Sequence, residues 1–296
     1  MTRRGWFLFS ALCVIWGIPY LLIKVAVRDI SPAALVFLRT TLGTLLLLPL
    51  VLRGAQLRPL LARWRPLVLY TVIEIAMPWF LLSDAERHLS SSFSGLLIAA
   101  VPLVGATIAA VSGGHERLDG RRVAGLLVGL AGVAALLGLD VRASDLGAVA
   151  KMAVVVLCYA VGPLIISRKL ADIPSLPVVT ASLALCAVGY APLAFAQLPA
   201  ALPPKEVIAA VVILGTVCTS LAFLVFFRLI AEVGPVRATV VTYVNPAVAV
   251  ALGVTLLHEP FTVGTGVGFV LILAGSFLAT RAAQAPRRAP SVAPAE

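Results

Sequence analysis

Ten blocks of mostly apolar residues follow one another along this chain, joined by short polar connections. They fall at about 6–27, 31–52, 66–83, 90–112, 121–140, 145–167, 175–197, 206–229, 236–257 and 261–281. At ~1.5 Å per residue, a helix of about twenty residues crosses a bilayer core of ~30 Å. The blocks are continuous rather than alternating, so self-satisfied helices suit them and a β-barrel does not. Only 12% of the 296 residues are charged and 61% are hydrophobic, with a mean hydropathy of +1.06. That leaves too little polar surface to cover a soluble core. The chain therefore reads as an all-α integral membrane protein with ten transmembrane helices. Thr2-Arg3-Arg4 and the apolar run after them mimic a signal peptide. The run continues without a small-residue cleavage site, so it reads as a retained first span. The Ala- and Pro-rich segment 282–296 reads as a disordered cytoplasmic tail.

A second feature divides the ten spans in two. Ala99-Ala100-Val101-Pro102 leads through an apolar segment to His115-Glu116, then to Gly125, Gly129 and Gly132. Thr242-Tyr243-Val244-Asn245-Pro246 leads likewise to His258-Glu259-Pro260, then to Gly264, Gly268 and Gly275. Glu116 precedes Gly125 by nine residues and Gly132 by sixteen; Glu259 precedes Gly268 and Gly275 by the same intervals. A repeat of half the chain outranks local readings. It predicts two five-helix units, 6–140 and 145–281. Five is odd, so the second unit lies upside down relative to the first, the inverted-repeat plan of secondary transporters.

The net charge of +10 does not point to nucleic acid, because the basic residues cap the apolar blocks. Sixteen of the 23 Lys and Arg residues fall on the side of the termini, six on the other, and Arg39 lies inside a span. That asymmetry predicts both termini in the cytoplasm of a cell-membrane protein. Cys13, Cys158, Cys186 and Cys218 lie in apolar blocks without paired spacing, so neither disulfides nor a metal site is expected.

Trp16-Gly17, Lys24, Pro32 and Arg39, followed by the duplicated proline–glutamate–glycine pattern, resemble the EamA-type drug/metabolite transporter family over residues 6–281. The resemblance implies a ten-helix transporter of small metabolites, often an exporter, with a central cavity lined by helices 1, 3, 4, 6, 8 and 9. It leaves the cargo open among amino acids, nucleotide-related compounds, sugars and drugs. Small four-helix relatives carry a coupling glutamate in helix 1; here helix 1 has none, so that mechanism does not carry over.

Glu74 is the only carboxylate well inside a span, about 12 Å along helix 3. An ionised carboxylate there costs at least ~2.5 kcal/mol unless it is paired or hydrated. Proton coupling, binding of a cationic group, or a structural pair with Arg39 would each account for it. Arg39 lies about 12 Å into helix 2 from the other side. It reads equally as a substrate-carboxylate ligand or a helix-to-helix clamp. Lys24, near the end of helix 1, reads as a snorkelling residue.

Prolines inside spans free carbonyls four residues earlier. Pro78 frees that of Glu74, Pro163 that of Tyr159, Pro246 that of Thr242 and Pro19 that of Ile15. With Pro102 they are candidates for kinks and gating, or for ordinary helix bending. Tyr70 shares a helix face with Glu74. Trp16 and Tyr159 occupy corresponding repeat positions as candidate cavity walls, with Trp79, Tyr243 and Asn245 as further substrate-binding candidates. Thr216, Thr219 and Ser220 suit helix packing or cargo. His115-Glu116 and His258-Glu259 lack the second histidine of a metalloprotease helix and read as turn locks.

No Walker, Gly-x-Ser-x-Gly or His-Glu-x-x-His motif is present, so neither ATP drive nor enzyme catalysis is expected, and no cofactor. The leading reading is a secondary transporter of an amino acid or similar zwitterion, with protons as a candidate coupling partner. A lipophilic-cation exporter is the alternative within transport, and a non-transporting scaffold the alternative outside it.

Overall fold

A computed structural model describes residues 1–53, 58–111, 120–140 and 145–280 of the chain. The described residues form helices and no strand. Seven long helices are apolar and long enough to cross a membrane: α1 (Arg3–Ala26), α2 (Pro32–Arg53), α3 (Trp64–Ala85), α4 (Ser91–Ile108 by its apolar window), α6 (Leu146–Lys169), α7 (Ser175–Ala196) and α8 (Lys205–Val233). Three further apolar helices, α5 (Gly120–Asp140), α9 (Val241–Leu256) and α10 (Val263–Thr280), complete the ten. His115, Glu116 and the 282–296 tail lie outside the described residues.

Sequence sets the helix ends. Thr2 Oγ1 accepts from Gly5 N (2.9 Å) and Ser90 Oγ from Phe93 N (3.1 Å), satisfying orphan amides at the starts of α1 and α4. Pro32 opens α2, where its missing N–H costs nothing. Gly234, at φ 82°, ends α8 in a conformation that other residues resist.

Packing follows the repeat. Helix α5 lies along α10, α2 along α7, and α4 against α9; each of these pairs joins two repeat mates. The α3–α6 contact has its counterpart in α8–α1. Every major contact thus maps onto itself or a partner, as a two-fold relation between the halves requires. Orientation follows from the ion pairs. Lys24, at the end of α1, reaches carbonyls at the end of α3, while Asp84 on α3 pairs with Lys151 at the start of α6. Helix α6 therefore begins where its mate α1 finishes, and the repeats are inverted.

Without a hydrophobic drive between helices in lipid, close backbone approach supplies the packing. The α5–α10 contact shows it: a Cβ at Gly275 would overlap the backbone of Gly129. This gives a physical reason for the repeated glycine spacing.

Candidate functional site

Helices α3 and α8 are each interrupted mid-membrane by a π-turn, Thr71–Ala76 and Thr216–Leu221. Such a turn inserts one residue, widens the helix and recurs at functional sites. Glu74 is the fourth residue of the first turn and Thr219 the fourth of the second. In α8 the hydroxyls of Thr219 and Ser220 donate to the carbonyls of Leu214 (2.8 Å) and Gly215 (3.0 Å), repairing the disturbed ladder. In α3 the turn runs directly into Pro78, which has no N–H to offer the carbonyl of Glu74 four residues earlier.

Arg39 of α2 meets both helices. Its Nε donates to Thr219 Oγ1 at 2.9 Å, and its guanidinium lies 3.7 Å from the ring centroid of Trp79 on α3. A cation over an indole face is stabilised by about 1–2 kcal/mol when desolvated. Arg39 is only 7% exposed, and among the described residues its side chain makes no other hydrogen bond. The two terminal nitrogens, the planar fork that grips carboxylates, are left uncommitted.

Glu74 is partly buried, and its Oε2 is enclosed without a hydrogen-bond partner. It does not pair with Arg39: the described ion pairs join Arg63 to Asp172, and Asp84 to Arg87 and Lys151. Glu74 instead lies against Gly162 of α6, where a Cβ would overlap the carboxyl. Only glycine leaves room for the acid at this point on α6. Tyr70 and Tyr159 lie within electrostatic reach of Glu74, and Tyr159 also of Arg39, while packing against the cluster that holds Trp79. Tyr159 thus stands between two groups, Tyr70 with Glu74 on one side and Arg39 with Trp79 on the other.

The remaining candidates are placed elsewhere. Trp16 packs on Phe226 (4.9 Å between centroids) and Phe223 (6.3 Å) of α8, and reaches the cluster of Trp79 and Tyr159 only through Phe223. The Tyr243 hydroxyl donates to Ser276 O (3.4 Å) on α10. The Asn245 amide nitrogen faces Val241 O (3.0 Å) and Cys13 O (3.2 Å), stitching α9 to α1. Helix breaks occur at Ile18 before Pro19, at the π-turn before Pro78, and at Ala99-Ala100 before Pro102. Pro163 and Pro246 sit inside uninterrupted helices. A shallow groove along Phe261 and along Val263, Gly266 and Val270 of α10 is apolar and contains none of these charges.

Two features go beyond the sequence expectation. Lys24 has specific partners: its Nζ donates to Glu86 O (2.6 Å), at the end of α3, and to Leu89 O (2.8 Å), in the turn that follows. Glu86, a charge just past a predicted span, is 0% exposed. Only the matching depth of Lys24 hinted at it. Glu259 locks more than its own turn, accepting from Ser91 N (2.7 Å), Ser92 N (2.9 Å) and Ser92 Oγ (2.5 Å) at the start of α4.

Known proteins share this architecture. The chain is 30% identical over 261 residues to the uncharacterized inner membrane transporter YedA of Escherichia coli K12, covering 84% of this chain and 81% of that protein. It is 21% identical over 281 residues to an uncharacterized transporter of Archaeoglobus fulgidus, covering 94% and 99%. It is 22% identical over 289 residues to the uncharacterized transporter YvbV of Bacillus subtilis 168, covering 95% and 93%. A crystal structure 24% identical in sequence shares the fold with a TM-score of 0.68, over 94% of this chain and 98% of that one. The EamA-like transporter profile matches twice, at residues 3–138 and 146–281. With two profile matches, ten apolar helices and an inverted two-fold arrangement, this multi-pass membrane protein belongs to the EamA-like transporter family.

Proposed function

We propose that this transporter moves an amino acid or similar zwitterion outward across the inner membrane, by rocking two inverted units, 6–140 and 145–281, around a central site. One observation carries the cargo assignment. Arg39 and Glu74 both lie near Tyr159 without pairing with each other, the guanidinium fork uncommitted and Glu74 Oε2 unpartnered. A cargo carboxylate on Arg39 and an ammonium at Glu74 would satisfy both charges, with Tyr70, Trp79 and Tyr159 as walls. Each charged hydrogen bond made to cargo is worth about 1.5–3 kcal/mol. The breaks before Pro19, Pro78 and Pro102 offer hinges for the rocking, and both termini face the cytoplasm.

A second reading, export of lipophilic cations, is favoured by the aromatic residues around Glu74 alone. It needs no role for Arg39. Uptake of a labelled amino-acid panel into proteoliposomes, with and without a proton gradient, tests the assignment. Saturable amino-acid flux that dies with Glu74→Gln is expected; flux only of hydrophobic cations transfers the assignment to the second reading. A cysteine replacing Ala201, exposed between α7 and α8, is expected to react with an impermeant thiol reagent from outside intact cells. Labelling only after lysis would reverse the orientation.

A further inference from the structure

The end of the molecule where α1 and α3 finish carries a second group of charges that the central site does not use. Lys24 ties α1 to the last carbonyls of α3. Glu259, carried by the turn between α9 and α10, caps α4 through three hydrogen bonds. His258 stands at φ 55°, a left-handed conformation unusual outside glycine, and so turns Glu259 back toward α4. Helix α9 comes close enough at Gly253 that a Cβ there would overlap the Glu259 carboxyl and the Ser92 hydroxyl. Helices of both repeats are thereby latched together at this end.

Beside the latch lies Glu86, fully enclosed, with neither carboxyl oxygen partnered. An ionised carboxylate in that position is expensive. The neighbouring Lys24 ammonium spends its hydrogen bonds on two main-chain carbonyls, Glu86's own among them, and on neither Glu86 carboxyl oxygen, the arrangement suited to a neutral acid. We propose that Glu86 binds a proton that holds this end closed, so that Lys24, Glu86 and Glu259 form a proton-operated gate.

The charged and titratable groups around Glu86 are few. Lys24 and Tyr20 face it from α1 and Glu259 from the α9–α10 turn, with Arg28 behind Lys24. On its own helix Asp84 is committed to Arg87 and to Lys151 of α6. The first two turns of α4 contribute no charge, but bring the Ser91 and Ser94 hydroxyls, both buried and unpartnered. Asp29, between α1 and α2, and His88 are exposed. Burial pushes the Glu86 carboxyl well above the usual carboxylate range, against the pull of the Lys24 ammonium. When the end opens, water reaches the acid and its ordinary ionisation returns. A group whose pKa is higher in the closed form stabilises that form below the open-form pKa, and the advantage is lost as pH rises through the closed-form value. Acid on this face therefore favours closure, and each opening releases a proton to that side.

The opposite end is built differently. The π-turns begin at Thr71 and Thr216, and that offset places Ala231 where Glu86 stands. The offset of Trp16 and Tyr159 places Ser167 where Lys24 stands. The contacts there, Arg63 with Asp172 and Thr2 with Glu232, are solvent-exposed. Among the described residues no carboxyl at that end is buried as Glu86 is; Glu116, the repeat mate of Glu259, lies outside the described residues.

The test needs no cargo, so failure of the gate and failure of the cargo assignment are read separately. Full-length protein in lipid nanodiscs, with Cys13, Cys158, Cys186 and Cys218 replaced by alanine, is spin-labelled at Asp29→Cys and Phe261→Cys, both exposed positions. Label distances are measured between about pH 5 and about pH 9. The short-distance population is expected to dominate in acid and the long one to grow with pH, by at most about tenfold per pH unit for one proton. Glu86→Gln is expected to stay short throughout. A wild-type distribution that ignores pH overturns the gate, as does Glu86→Gln protein that follows the wild-type curve. The wild-type titration decides the matter even where the variant fails to fold.

Discussion

Helices α3 and α8 occupy equivalent places in the two repeats and share one irregularity, yet their polar groups are treated in opposite ways. The α8 π-turn is closed by its own hydroxyls, and Thr219 also accepts from Arg39. The α3 π-turn presents Glu74 with Oε2 unpartnered and runs straight into Pro78. Duplication supplied a widened turn twice at mid-membrane. One copy became a structural joint that holds an arginine in place. The other kept a carboxyl with an unpartnered oxygen, which in a membrane persists where something else completes it.

Neutralising the unsatisfied member breaks the comparison most severely. Glu74→Gln removes the charge while keeping shape, and flux in proteoliposomes is expected to fall by about 10–100-fold, the equivalent of one charged hydrogen bond. Protein yield and helicity should hold, because Oε2 makes no bond to lose. Wild-type flux in this variant would show α3 to be as structural as α8. Arg39→Lys comes next. Lysine keeps the charge but lacks the fork, and it loses the geometry that bonds Thr219 while stacking on Trp79. Apparent affinity for a carboxylate cargo should weaken by roughly tenfold, whereas a cargo without a carboxylate should be transported as before. Equal effects on both would reduce Arg39 to a clamp.

Much of this arrangement is written in the order of residues, and part of it is not. Ten apolar blocks and the glycine spacing from Glu116 and Glu259 dictate spans and inversion, because bilayer thickness and close helix contact leave few alternatives. Glu74 and Arg39 stand out because a charge in a span demands a reason. The π-turns do not announce themselves: Thr-Val-Ile-Glu and Thr-Val-Cys-Thr suit a regular helix equally well. The partner of Arg39 is likewise invisible, since Thr219 lies in the other repeat and meets Arg39 only after both units pack. Glu86 was hidden by its position, just past a span, where a carboxylate is ordinarily wet.

Gly162→Ala probes the same asymmetry from the far side of Glu74. The new methyl would overlap the carboxyl, so either the acid swings away at little cost or α6 shifts at a cost of about 1–3 kcal/mol. A several-fold loss of flux with little change in thermal stability is expected if the acid moves. Loss of stability with normal flux in the surviving protein would mean that α6 yields and the position of Glu74 is immaterial.

Thr219 should give the smallest effect, and it separates hydroxyl from shape. Thr219→Ser keeps the oxygen that accepts from Arg39 Nε and donates to Leu214 O. It removes only the methyl that packs near Gly43, so flux and melting temperature should stay near wild type. Thr219→Val keeps the shape and removes the oxygen. It leaves Arg39 Nε and the Leu214 carbonyl without partners, a loss of about 1–3 kcal/mol for a buried donor. If α8 is the joint and α3 the site, valine lowers thermal stability and weakens carboxylate binding through a looser Arg39, while the dependence of flux on Glu74 persists. Should valine abolish flux as completely as Glu74→Gln with stability intact, the two π-turns would be equal halves of one binding site, and the division of labour drawn from their chemistry would fall.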